Sequence, residues 1–200
     1  MPEEGGPDGW EREVACLAWE GDDALVLIDP LLPEDGTELQ GLWNELDAIA
    51  SGLKAPVSIV LSVWWHERSA GIVFERYSKV LGARLWAQER GVERIESPVT
   101  DPFAAGAALP GGIQAFDVHR ETEVALWIPS ARALAVADVL LGRDSGLRLC
   151  PPSWVGGEES LAETRSSLER LLELPVEMVL VSHGPPVLSG GREALAAALR

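Results

Sequence analysis

The sequence predicts an α/β protein, α+β in the wider sense, with mixed sheets packed together and helices on their outer faces. Three observations support this. Apolar runs of strand length occur in both halves of the chain, and segments with a helical apolar period alternate with several of them. Three further strands follow one another with only short turns between them. A composition of 46% hydrophobic and 24% charged residues is ordinary for a globular domain.

The first half predicts a hairpin followed by two helix–strand pairs. VACLAWEGDDALVLID gives two strands that end at Asp29-Pro30. ELQGLWNELDAIASGL is a helix, PVSIVLSV a buried strand, AGIVFERYSKVLG a second helix and ARLWAQ a short strand. The first helix follows from a 3.6-residue apolar period. The segment 91–112 is rich in turn residues and is not assigned to an element.

The second half predicts a strand meander and two helices. IQAFDVHR, EVALWIPS and RALAVADVL are three strands, and VEMVLVSHGPPV is a strand that ends in a turn. SLAETRSSLERLLEL is an amphipathic helix, and GREALAAALR is a closing helix. We expect a loose tail over residues 1–10 and a single domain over 11–200.

Charge and hydropathy exclude several classes of partner. The net charge is −16, with 32 acidic and 16 basic residues, and there is no basic run, so nucleic acid is not expected. Apolar runs of about eight residues fall short of the roughly 20 that cross a membrane. The N-terminus lacks the apolar stretch of a secretory signal, so a cytoplasmic location is expected. The spacing of Cys16 and Cys150 matches no metal or redox motif, and idle thiols are expected.

Ionisable residues collect at the ends of predicted strands. Asp29, the loop SVWWHERSAG, Asp138 and His183 each follow an apolar strand, and His119 lies between two strands. Strand ends on one rim form the usual ligand crevice of layered α/β folds. Asp29 and His183 have simpler interpretations as turn residues. Asp138 ends a buried strand and needs a partner, which makes it the strongest site candidate.

These segments, in this order, resemble the metallo-β-lactamase fold superfamily, which includes glyoxalase II-like hydrolases. The resemblance runs from about residue 14 to 190 and implies a four-layer αββα sandwich, with two mixed sheets face to face and helices outside. LVLIDP is similar to the first Asp-bearing turn of the family, and SVWWHERSAG stands at its Thr-His-x-His-x-Asp-His-x-Gly-Gly loop. DVHRETEVALWIPSARALAVADVL and VLVSHGPPV are similar to the later motifs that contribute histidine, aspartate and histidine ligands.

The same resemblance implies that most of the metal site has been replaced. Val63 and Trp65 stand where two histidines bind the first metal, Glu67 stands on the aspartate, and Arg68 on the third histidine. His119, Asp138 and His183 match ligand positions. His66 falls on a position that the family does not use. Sliding the loop by one residue would place His66 on the second histidine and lose the Gly-Gly match.

Three functions follow from this interpretation. The first is a protein without metallo-hydrolase activity or cofactor that binds a small molecule or another protein, with an Arg68–Asp138 ion pair in place of the second metal and with Trp65 and His66 beside the ligand. The second is a hydrolase of an ester, thioester or lactone with one Zn, Mn or Fe ion on Glu67, Asp138 and His183, with His119 as a further ligand.

The third function is metal-free catalysis by Ser69 with His66 or His119. If the site is catalytic, Asp138, Glu67 and Arg68 are the candidate residues. Eight tryptophans leave homo-oligomerisation open, since they leave room for an exposed apolar patch.

Overall fold

The structure is a computed structural model that describes residues 14–22, 24–53, 56–79 and 82–200. The chain divides into two compact units, each with its own main sheet and core. The N-terminal unit is Cys16–Ile113, and the C-terminal unit is Gln114–Arg200 with residues 14 and 15. The tail predicted over 1–10 lies outside the described residues, and the single domain over 11–200 stays a prediction.

The N-terminal unit is built on a five-stranded mixed sheet. Its strands are β1 Leu17–Glu20, β2 Leu25–Ile28, β3 Val57–Leu61, β4 Arg84–Gln88 and β5 Asp101–Phe103. Its helices are α1 Gly36–Leu53 and α2 Ala70–Ser78. The strand order is β1-β2-β3-β4-β5, with β1 antiparallel to β2 and the remaining neighbours parallel. The predicted opening hairpin is confirmed, and β5 lies in the segment that the sequence left unassigned.

The core of the N-terminal unit lies between the central strands and the two helices. The apolar period predicted for α1 places Trp43, Leu46 and Ala50 in this core. Their partners come from β2, β3, β4 and α2: Leu25, Leu27, Ile59, Leu61, Leu85, Ala70, Val73 and Tyr77. Burial of this face is the main term that fixes both helices on the sheet.

A polar cluster joins the two helices at the edge of this core. Asp47 of α1 accepts hydrogen bonds from Arg76 Nη2 (2.6 Å) and from the Tyr77 hydroxyl (2.7 Å), both on α2. The Arg76 guanidinium also lies over the Trp43 ring, 4.5 Å from its centroid. Burial, together with the hydrogen bond to the Asp47 carboxylate, raises the pKa of Tyr77 to about 12.

Tyr77 is the only tyrosine of the chain, so an alkaline absorbance titration near 295 nm reports on it alone. We expect a midpoint of about 12 while circular dichroism shows the folded state. The folded-state pKa lies above the unfolded value of about 10. The protonated hydroxyl therefore stabilises the fold below about pH 10, and this stabilisation is lost as the pH rises towards about 12. Asp47→Ala should lower the midpoint, and a wild-type midpoint near 10 would contradict the contact.

The C-terminal unit contains a four-stranded mixed sheet and a separate hairpin. Its strands are β6 Gln114–Asp117, β7 Val124–Ile128, β8 Ala133–Val136, β9 Leu140–Arg143, β10 Gly146–Leu149 and β11 Met178–Val181. Its helices are α3 Glu158–Glu169 and α4 Gly191–Ala198. The sheet order is β11-β8-β7-β6, with β11 parallel to β8 and the other pairs antiparallel. The two mixed sheets with helices that the sequence predicts are confirmed.

The hairpin β9–β10 was not predicted, and it packs closely against the turn after β11. The Gly142 N–H donates to the His183 carbonyl oxygen over 2.8 Å. A Cβ atom at position 142 would overlap Pro185, so only glycine permits this approach. The hairpin therefore supports the backbone that carries His183.

Two further expectations concern thiols and membranes. Cys16 is exposed and Cys150 is buried, and both are free thiols as predicted. Burial raises the pKa of the Cys150 thiol to about 11, which keeps it protonated and unreactive. Among the described residues, the helices are all too short or too polar to span a bilayer.

Candidate functional site

In the N-terminal unit, two parallel strands bring polar residues to one edge of the sheet. β2 ends before Asp29 and β3 ends before Ser62, and the Asp29 N–H donates to the Val60 carbonyl over 3.0 Å. The Asp29 carboxylate accepts the Ser62 N–H over 2.8 Å and also the Ser62 hydroxyl. Asp29 is 3% exposed, so its oxygens need these hydrogen-bond donors in place of water.

The His66 imidazole lies between this carboxylate and a guanidinium. Its Nδ1 is 3.0 Å from Asp29 Oδ2, and its Nε2 is 3.1 Å from Arg68 Nη2. A guanidinium can only donate, so Nε2 must accept. The ring proton is therefore on Nδ1 and is donated to Asp29. In this arrangement the Nε2 lone pair, which would bind a metal, accepts a hydrogen bond from Arg68.

Backbone strain marks the same two positions. Asp29 and Arg68 adopt left-handed conformations, with φ of 48° and 40°. Residues other than glycine rarely do so, and such outliers cluster at functional sites. Arg68 Nη1 also lies 3.5 Å from the Asp29 carbonyl oxygen, which ties the two strained residues together. The sequence indicated a turn at Asp29, and its role as the centre of this network was missed.

Glu67, which the sequence proposes as a metal ligand or catalytic residue, holds a neighbouring loop. Its Oε1 accepts the N–H (2.6 Å) and the hydroxyl (2.5 Å) of Ser97, and its Oε2 accepts the Glu96 N–H (3.0 Å). Burial raises the pKa of Glu67, but these hydrogen bonds outweigh it and leave the pKa below the usual range. The carboxylate is thus stabilised in its charged form by the Ser97 hydroxyl and by the backbone N–H groups of Glu96 and Ser97.

Glu67→Gln should lower the free energy of unfolding by about 1 kcal/mol at pH 7, because one oxygen and the negative charge are lost at a half-buried site. The lowered pKa of Glu67 means that this stabilisation is present above the ordinary glutamate value of 4.5 and is lost as the pH falls through the folded-state pKa. Urea denaturation over a series of pH values from 7 downwards should show that the difference between variant and wild type shrinks as the pH falls below 4.5. A difference that stays constant over the whole series would contradict the role of the charge.

The two loop tryptophans pack against each other and against an arginine. The Trp64 and Trp65 rings meet edge to face, with centroids 5.6 Å apart. The Arg94 guanidinium lies 5.3 Å from the Trp64 centroid. Both tryptophans are half-buried, which fits packing within this unit. The ligand contact predicted for Trp65 and His66 stays a prediction.

Ser69 makes hydrogen bonds with the segment that follows Asp29. Its hydroxyl accepts the Leu32 N–H over 3.1 Å, and its own N–H donates to the Pro30 carbonyl. This side chain therefore fixes the segment that follows Asp29. The geometry does not favour Ser69 as a nucleophile.

In the C-terminal unit, a second pair of parallel strands brings Asp138 and His183 together. Val181 of β11 pairs with Val136 of β8, and both site residues follow two positions later. His183 Nε2 lies 3.2 Å from Asp138 Oδ1. Both side chains are almost fully buried. Asp138 and His183, which both match ligand positions of the family motifs, are thus neighbours.

Arg120 and Glu123, which the sequence did not indicate as site residues, complete this cluster. Arg120 Nη1 lies 2.7 Å from Glu123 Oε2 and 3.4 Å from Asp138 Oδ2. Glu123 Oε1 accepts the N–H groups of Asp138 (2.9 Å) and Val139 (3.0 Å). Burial raises the pKa of Glu123, and Arg120 opposes that shift. The only sequence signal was two charged residues three positions apart before β7.

His119 occupies a different environment. Its Nε2 lies 2.7 Å from Glu163 Oε2 of α3, and both side chains are about half exposed. The residue has a φ of 50°, and its carbonyl oxygen accepts the Thr164 hydroxyl. The imidazole is thus engaged with α3 at the surface, whereas Asp138 is buried. Its predicted role as a metal ligand stays a prediction.

Comparison with known proteins identifies the fold. The sequence matches no protein-family model and no curated protein. Among solved structures, a metallo-beta-lactamase family protein from Thermus thermophilus is 20% identical, with a TM-score of 0.60 over 92% of this chain and 73% of that one.

Two other solved structures agree. A metallo-beta-lactamase from Pontibacter korlensis is 18% identical, with a TM-score of 0.62 over 93% of this chain and 86% of that one. A protein solved in a di-iron-bound form is 23% identical, with a TM-score of 0.64 over 94% of each chain. The coverage includes both units, and the identities are those of a divergent sequence. The chain therefore has the metallo-β-lactamase fold.

Proposed function

We propose that this chain has a degenerate metal site, lacks dinuclear metallo-hydrolase activity and binds a small molecule or another protein. The observation that carries the proposal is the hydrogen bond from Arg68 Nη2 to His66 Nε2. A metal at that nitrogen would have to displace a guanidinium, whose charge is permanent and which has no lone pair to offer.

The neighbouring loop positions support the same proposal. Val63 is buried and has no donor atom, and the Trp65 indole can only donate a hydrogen bond. Glu67 already accepts three hydrogen bonds from Glu96 and Ser97. A dinuclear centre of the family's kind therefore does not fit the residues of this loop.

A one-metal hydrolase is the second candidate, and one observation favours it. His183 Nε2 and Asp138 Oδ1 are 3.2 Å apart, a separation that two ligands of the same ion would also have. The sequence offers Glu67 as a third ligand for Zn, Mn or Fe(II), which would supply an activated water, but that carboxylate would first have to release Glu96 and Ser97. The Arg68–Asp138 ion pair is the competing proposal for the same carboxylate.

Elemental analysis of the purified protein tests the proposal. The protein is prepared without chelator, incubated with excess zinc, and desalted, with Asp138→Ala treated in parallel. We expect less than about 0.1 equivalent of Zn, Mn or Fe in both. About one equivalent in the wild type, lost in Asp138→Ala, would favour the one-metal hydrolase instead and would direct assays to thioesters and lactones.

The class of partner is a further part of the proposal. A net charge of −16 makes nucleic acid an unfavourable partner, and a cytoplasmic location is consistent with two free thiols. Ligand screening by thermal shift, with nucleic acid as the negative control, tests this. A specific rise in Tm with nucleic acid would contradict it.

A further inference from the structure

A buried charge cluster in the C-terminal unit has a role that the family motifs do not assign. Its members are Arg120, Glu123, Asp138 and His183, with side chains that are 9%, 0%, 3% and 5% exposed. Isolated charges are costly at such depth, so buried charges of opposite sign are expected to lie next to one another. Arg120 is the permanent cation of the four.

One nitrogen atom of Arg120 lies next to two buried carboxylates. Arg120 Nη1 lies 2.7 Å from Glu123 Oε2 and 3.4 Å from Asp138 Oδ2. It therefore bridges two carboxylates that would otherwise repel each other in a poorly solvated site. His183 Nε2 approaches the other oxygen of Asp138.

The rest of the arrangement keeps the guanidinium in place. Glu123 is fixed because its second oxygen accepts the N–H groups of Asp138 and Val139. The Arg120 guanidinium also lies 6.0 Å from the centroid of the Trp154 ring, at the limit of a cation–π contact. The cation is thus held from several directions.

We propose that Arg120 is a built-in cation that takes, between Glu123 and Asp138, the electrostatic place of a metal ion in the C-terminal unit. The inference rests on the proposed function, since it assumes a wild-type protein without a resident metal. It predicts that, once Arg120 is neutralised, the buried carboxylates of Glu123 and Asp138 attract a divalent cation such as zinc.

The test compares three single variants in the full chain. Arg120→Gln removes the charge and keeps a donor for Glu123, and Arg120→Lys keeps a positive charge. Arg132→Gln is the matched control, because Arg132 forms a 3.8 Å ion pair with Glu177 at the surface. Zinc affinity is measured by calorimetry, and Tm by circular dichroism with and without zinc.

We expect Arg120→Gln to bind one zinc ion with a Kd about 100-fold below that of the wild type, because the repelling charge is gone. Without zinc, its Tm should fall by about 10 °C, and saturating zinc should restore about 5 °C or more. Arg120→Lys and Arg132→Gln should gain no zinc affinity. Adding Asp138→Asn to Arg120→Gln should abolish the gain.

Failure of this inference differs from failure of the proposed function. If the wild type binds no metal and Arg120→Gln gains none, the role of Arg120 as a stand-in cation is wrong and the proposed function is unaffected. If the wild type itself binds one equivalent tightly, the proposed function fails first. If Arg120→Gln does not fold alone, refolding in zinc is the test, and no recovery of folded protein contradicts the inference.

Discussion

Glu123→Ala is expected to lower the free energy of unfolding by about 4 kcal/mol, the largest effect among single side chains of the cluster. The change leaves the buried Arg120 charge without its 2.7 Å partner and leaves the N–H groups of Asp138 and Val139 without their acceptor. For a chain of this length, Tm should fall by about 10 °C. Urea denaturation and calorimetry measure the two quantities.

Two controls separate the buried pair from general effects of losing a glutamate. Glu177→Ala removes a carboxylate that is paired with Arg132 at the surface and should cost less than about 1 kcal/mol. Arg120→Met with Glu123→Ala should cost less than the sum of the two single changes, because both charges leave together. Additive effects, or a Glu123→Ala cost below 1 kcal/mol, would mean that the cluster is not a coupled network.

Asp29→Ala is expected to lower the free energy of unfolding by about 3 kcal/mol. The carboxylate accepts hydrogen bonds from the Ser62 N–H, the Ser62 hydroxyl and His66 Nδ1, and all three donors are buried. Alanine also tolerates the φ of 48° poorly. Asn keeps one acceptor and accommodates the left-handed conformation, so Asp29→Asn should lose about half as much.

Asp35→Ala provides the comparison for Asp29. Asp35 is exposed and accepts the N–H groups of Thr37 (2.8 Å) and Glu38 (3.0 Å) at the start of α1. Its loss should cost about 1 kcal/mol, the usual value for a helix cap. If Asp29→Ala is no more destabilising than Asp35→Ala, the buried network does not hold the loop as we describe.

The fold followed from the sequence where side-chain periodicity is strong. Burial requires apolar residues at regular positions, and this requirement is visible in the local sequence. It produces the helical period of α1 and the apolar runs of β3, β7 and β11. The hairpin β9–β10 was missed because its close approach to Pro185 depends on Gly142 and on a turn far along the chain. The short strand β5 has only three residues in a turn-rich segment and gives no pattern.

The candidate site was predictable only in part. Asp138 and His183 were found because each follows a buried strand, and the register of β8 and β11 brings them together. Arg120 and Glu123 carry no signal of burial, since charged residues three positions apart before a strand usually face solvent. The contact between Arg68 and His66 could not be predicted from the sequence either. Arg68 adopts a left-handed backbone conformation, and its guanidinium contacts His66 in that conformation.

The central claim is that Arg68 occupies the nitrogen of His66 that would bind a metal. Long-range ¹H–¹⁵N spectra of the three histidines, recorded at pH 7 with and without excess zinc, test it directly. We expect His66 as the neutral Nδ1–H tautomer, with an Nε2 resonance that zinc leaves unchanged, while Arg68→Ala makes it sensitive to zinc. A zinc-dependent shift of His66 Nε2 in the wild type would contradict the account.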